Sequence, residues 1–211
     1  MNTETASVEI SLDKKENIYS EKHRKFIRKI SELSSGDLAI LRRCNRNPHE
    51  DPRLFPVIGK LGVLNSYNHA LIACLYAVYH KSYEEPIFEE NYNFGKAFRN
   101  AYDPVPENKE QRNKYKPKQD TRFRSILTAD HGDALTYRLR QAVRLIQSKN
   151  EPLDFSILLG DLFNWDNSKK RVQRKWAEGY YSGFASTDDA NNADQSDDFD
   201  NDEETDEDDE S

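Results

Sequence analysis

"DALTYRLRQAVRLIQS", Asp133 to Ser148, is the stretch whose reading decides the fold class. At about 100° per residue, Leu135, Leu139, Ala142 and Ile146 fall on one stripe, the expected core face. Arg140 and Arg144 sit one turn apart on the opposite side, with Tyr137 nearby, and Arg138 lies at the edge of the apolar stripe. The pattern predicts an amphipathic helix, and the same period recurs up and down the chain without sustained strand-type alternation. The chain is therefore expected to be all-α.

Working upstream, "SEKHRKFIRKISEL" places Phe26, Ile30 and Leu33 on one helical face among basic residues. In "SSGDLAILRR", Ser34 with Asp37 three residues on resembles a capping box, so a short helix is expected to begin there. "NPHEDPRLFP" reads as a turn region, because its prolines interrupt helical hydrogen bonding. Tyr67 to Tyr79 is apolar nearly all round and is expected to be a buried central helix. Downstream, helices are expected from about Thr121 to Ala129, Leu153 to Phe163 and Ser168 to Tyr181. In the last of these Val172, Trp176 and Tyr180 share the core face, while Arg171 and Lys175 flank one side and Arg174 and Tyr181 the other.

Composition divides the chain into a mobile arm over 1–20, a helical lobe over 21–102, a polar loop over 103–119, a helical bundle over 120–185 and an acidic tail over 186–211. The predicted architecture is a two-lobed helical bundle with a disordered C-terminal tail. All 31 Lys and Arg precede Ser186, whereas 14 of the 38 Asp and Glu follow it, so the body has 24 acids and a formal charge of +7 within a chain of −7. Such asymmetry points to a polyanionic partner for the body. The tail then has two readings, a solubilising extension or a competitor for the basic face. Cys44 and Cys74 lack metal or redox spacing and suit small core residues in a reducing compartment. No charged-then-apolar leader opens the chain, and the longest apolar run, Ala70 to Tyr79, is too short to span a bilayer. A cytoplasmic protein without membrane contact is expected.

A search for catalysis finds little. "TADHGD" offers Asp130, His131 and Asp133 as metal ligands of a nuclease, but Asp at a helix start more commonly caps backbone N–H groups. The other histidines are scattered, and neither a phosphate-cradling glycine loop nor a nucleophile elbow is present. No enzyme, metal or cofactor is expected. The basic residues make the stronger signal. Arg42, Arg43, Arg140, Arg144, Arg171, Arg174 and Lys175 come from three helices, each on the side read as facing away from its core, and the loop adds Lys109, Arg112, Lys114, Lys116 and Lys118, with Arg122 beyond it. Cations spaced along rigid helices can track a phosphate backbone, releasing a counterion at each contact.

"SSGDLAILRR", "YRLRQAVRLI", "PLDFSILLGDLFNWD" and "RVQRKWAEGYY", in that order, resemble the CasB family, the small subunit of the type I-E CRISPR surveillance complex called Cascade. The resemblance covers roughly Phe26 to Tyr181, matches poorly from about Ser82 to Lys118, and leaves the acidic tail unexplained. It implies an all-helical subunit present twice in the complex, contacting the large subunit and the repeated backbone subunits that hold the guide RNA. It also implies a basic surface that helps hold target DNA, especially the displaced strand. Carried over, Arg42 and Arg43 match the first motif, Arg138, Arg140 and Arg144 the second, and Arg171 and Arg174 the last. The competing reading is a free-standing helical RNA- or DNA-binding protein regulated by its tail.

Overall fold

The computed structural model describes residues 21–45, 47–80, 85–89, 92–102 and 121–188, and every regular element among them is helical. The expected arm, the whole polar loop and the tail beyond Asp188 lie outside the described residues.

Helix α1 spans 21–31 and buries Ile27 and Ile30, with Phe26 and Leu33 packed at the edge of the core. Helix α2 (Ser35–Arg42) starts where Ser34 accepts a hydrogen bond from the Asp37 amide at 3.1 Å, as the capping pattern predicts. The proline-rich stretch is more ordered than a turn. Asp51 caps a 3₁₀ turn (Pro52–Leu54) that runs into α3 (Phe55–Leu61), with prolines at first-turn positions where no donor is lost. Gly62, at φ 77°, then supplies the left-handed residue that closes α3.

Helix α4 (Tyr67–Tyr79) buries nine residues and is the central helix expected. Helix α5 (Phe94–Tyr102) was not anticipated, although Phe94, Ala97, Phe98 and Ala101 have helical spacing and are all buried. Helices α6 (Thr121–Leu127), α7 (Asp133–Ser148) and α8 (Phe155–Phe163) fall where the sequence puts them, and Asp154 caps α8 by accepting from the Ser156 and Ile157 amides. Helix α9 (Arg171–Asp188) starts three residues later than expected, because Lys170 adopts a left-handed φ of 49°, and it runs past the expected tail boundary at Ser186.

The expected division into two lobes is not confirmed by the packing. One core cluster takes residues from α1 through α9. Helix α7 lies against α4 and α5, and α5 packs most extensively against α9. That last contact is close: a Cβ on Gly95 would lie 1.9 Å from the Trp176 carbonyl oxygen. Phe123 of α6 stacks on Tyr180 of α9 at 4.1 Å between ring centroids, and Trp165 donates to the Ala129 carbonyl at 3.0 Å. Among the described residues no helix is long and apolar enough to cross a membrane.

Candidate nucleic-acid interface

The last four carbonyls of an α-helix have no partner inside the helix and carry the negative end of its dipole. Here cations from elsewhere in the chain supply the missing donors. Arg42 Nε donates to the Ala77 carbonyl near the end of α4 at 2.6 Å, an end with no basic residue in its own last turn. Arg138 Nη1 donates to the Ser125 carbonyl of α6 at 2.7 Å. Lys29 Nζ donates to the Leu61 carbonyl that ends α3 at 3.0 Å. Arg140 Nη2 donates to the Arg42 carbonyl that ends α2.

Arg140 is the correction to the expected site. It is 6% exposed, not a surface cation on the far side of α7. The buried face of α7 takes in Thr136, Arg140 and Val143 beside the expected stripe, because α4 and α5 both pack on this helix. Arg140 Nε is buried without a hydrogen-bond partner among the described residues. Burial, with Arg144 nearby, holds the guanidinium below its usual range. Its neighbours include Cys44 and Cys74, both buried thiols with no disulfide between them. A hydrogen bond between the two thiols, then burial, push the Cys74 thiol up.

Arg43, Arg144, Arg171, Arg174 and Lys175 are exposed, as expected. Arg42 is exposed too, although its Nε is committed to α4. Arg138 is half-buried. On α9 the separation of faces holds, with Val172, Trp176 and Tyr180 buried and Arg171, Arg174 and Lys175 outside. Lys175 has a second role that the sequence does not reveal. Its Nζ lies 3.8 Å from Asp161 Oδ1, a buried carboxylate on α8 that also accepts from Trp176 Nε1 at 2.6 Å. Burial pushes the Asp161 carboxyl above its ordinary range, and Lys175 and Trp176 oppose that shift. The site residues thus fall into two groups, one at the junction of α2 and α7 and one along the first turns of α9, with Arg138 apart from both against α6.

The "TADHGD" residues take structural positions. Gly132, at φ 121°, and not an aspartate, occupies the N-cap of α7. Asp133 sits in the first turn, where its charge suits the positive dipole end. His131 Nε2 hydrogen-bonds Asn68 Oδ1 at 2.8 Å. Among the described residues no three His, Cys, Asp or Glu side chains are grouped to hold a metal ion.

The sequence model of the family described as CRISPR-associated protein Cse2 matches residues 37–181, well over half of the chain. The chain belongs to the Cse2 family. It is 40% identical over 70 residues to a CRISPR-associated protein Cse2 of Thermus thermophilus, a match spanning 33% of this chain and 39% of that curated relative. The crystal structure of M. ruber CasB superposes with a TM-score of 0.56 at 28% identity, covering 82% of this chain and 97% of that one. A chain in the crystal structure of E. coli Cascade bound to a PAM-containing dsDNA target superposes with a TM-score of 0.54 at 15% identity, covering 77% and 95%, which shows the shared fold. The Cse2 match runs from Asp37, within α2, to Tyr181 and takes in every expected interface cation from Arg42 to Lys175, whereas the acidic tail lies beyond it.

Proposed function

We propose that this Cse2-family chain is a non-catalytic subunit of an intracellular Cascade complex, where it holds nucleic-acid backbone and stabilises the R-loop formed when guide RNA pairs with target DNA. Its partners on this reading are the large subunit, the repeated backbone subunits, a second copy of itself, the guide RNA and the target DNA, chiefly the displaced strand. The observation that carries the reading is the set of exposed cations on rigid helices, Arg43, Arg144, Arg171, Arg174 and Lys175, in a chain of this family. Arg42 adds charge at the same junction. Arg140 holds the end of α2 at that junction, and Arg138 is held against α6.

The physical case is one of balance. Exchanging a DNA duplex for a guide–target heteroduplex is nearly neutral in free energy, so a few backbone contacts shift the equilibrium. Contacts of this kind need spaced charge and no base readout, and their strength falls steeply with salt. The test is the Arg144→Glu, Arg174→Glu double variant in the reconstituted complex. Expected is faster R-loop collapse with unchanged subunit assembly; R-loops as long-lived as the wild type's overturn the assignment. Purification from the host separates this reading from a free-standing binder, since a guide-sized RNA with several protein subunits is expected only for the complex.

A further inference from the structure

Where α5, α6 and α7 meet, an open cleft of about 370 Å³ faces solvent, within the size range of small-ligand sites. Its apolar wall comes from Phe98, Ala142 and Leu145. Around this wall stand Arg122, Arg138, Gln141 and Tyr137, and among the described residues no carboxylate lines the cleft. Tyr137 is 60% exposed, the most exposed of the large hydrophobic side chains among the described residues. Two of the polar groups are held in place from behind. Arg138 is fixed by the Ser125 carbonyl, and the Arg122 guanidinium sits 5.6 Å from the centroid of the Tyr102 ring.

We infer that this cleft is a binding site for an unstacked base of single-stranded nucleic acid, with Tyr137 as the stacking platform, Arg122 as the phosphate or base-edge donor and Arg138, held by the Ser125 carbonyl, adding positive charge to the wall. The inference rests on the proposed backbone-holding function and extends it from charge to base contact. An exposed ring beside guanidinium groups is the combination that single-strand-binding surfaces use, because every base has a π-face and every linkage a charge. Charge decides between occupants: a wall with two arginines and, among the described residues, no acid favours a polyanion over a neutral or cationic protein segment. Register supports the same strand path. Arg144 lies seven residues beyond Tyr137, hence on the same face of α7 and about 10 Å along its axis. A strand crossing exposed Arg144 therefore reaches Tyr137 within a few nucleotides. A duplex does not fit this use, since its bases are already stacked on one another.

The experiment measures binding of the full chain to fluorescein-labelled oligo(dT) and to an abasic oligonucleotide of equal length, at low and high salt. Tyr137→Ala is expected to weaken oligo(dT) binding about tenfold, leave abasic binding unchanged and preserve the helical circular-dichroism spectrum. Tyr137→Phe keeps the ring and is expected to bind as the wild type does. Bromouracil-substituted strand in the assembled complex is expected to photocrosslink at Tyr137. Equal loss on both probes, no loss on either, or a photoreactive side chain at position 137 that crosslinks only to protein would overturn the site. Failure of the cleft alone shows as salt-dependent wild-type binding that Arg144→Glu weakens and Tyr137→Ala does not. Wild-type chain that binds neither probe, with R-loops indifferent to Arg144 and Arg174, brings down the cleft and the proposed function together.

Discussion

Helices α7 and α9 have similar sequences in outline, each with an apolar stripe and several arginines, and the fold treats them differently. Helix α9 packs one side against α5, α6 and α8, and its cations at 171, 174 and 175 lie on the side left exposed. Helix α7 is packed by α4 and α5, so Arg140 is enclosed and capping α2, Arg138 is tied to α6, and Arg144 remains exposed. Which sides of a helix its neighbours cover decides what an arginine on it does. A guanidinium facing water is available for phosphate, whereas one facing a helix end is spent on carbonyls that otherwise lack donors.

The strongest way to break the comparison is to disturb the buried face of α9. Trp176→Ala removes a fully buried ring and the donor to Asp161, and is expected to cost about 4 kcal/mol in urea unfolding. A cost near 1 kcal/mol would mean that α9 is not anchored as described. Gly95→Ala attacks the same contact from α5, where the new methyl must push the Trp176 backbone away. About 3 kcal/mol is expected from such overpacking, and a neutral result would show that α5 and α9 separate without penalty.

Next comes the contrast within α7. Arg140→Ala leaves the α2 carbonyl without its charged donor and is expected to destabilise by about 2 kcal/mol, while Arg144→Ala stays within about 0.5 kcal/mol. Equal stability of the two variants in thermal melts would erase the distinction between enclosed and exposed arginine. Asp161→Asn sharpens the α9 side through pH. Because burial raises the folded Asp161 pKa above its ordinary 3.8, the wild-type acid favours folding at low pH and loses that advantage as pH rises through the raised value. The variant's stability relative to wild type is therefore expected to increase from about pH 4 upward and level off once Asp161 is ionised in the fold. A difference that falls with pH, or stays flat, would contradict the burial. The smallest effect is on binding alone: Arg174→Ala is expected to lower the salt slope of single-strand affinity by about one without changing the melting temperature.

Much of the fold is legible because amphipathic periodicity is a local property. Asp133 to Ser148 is helical over the whole expected span, and Ser34 caps α2 through a bond contained within four residues. Helix α5 had the same signal in Phe94, Ala97, Phe98 and Ala101, masked by glycine, asparagine and lysine between them. The candidate interface was legible in part. Exposure of Arg171 and Arg174 follows from one helix with one core face, a geometry contained in the spacing. Arg140 was misplaced because a helical wheel assumes a single buried side.

The sequence by itself determined the helical class, most helix positions, the split between a basic body and an acidic end, and the resemblance that the Cse2 match bears out. Each depends on residue type and near-neighbour spacing. Tertiary structure alone decided that one core runs through both expected lobes, that Arg42 and Arg140 cap helices distant in the chain and Arg138 the helix before its own, that Lys175 offsets a buried aspartate, and that Tyr137 stands beside a cleft between three helices. Those outcomes depend on which surfaces meet, and the residues that meet are separated by up to 98 positions.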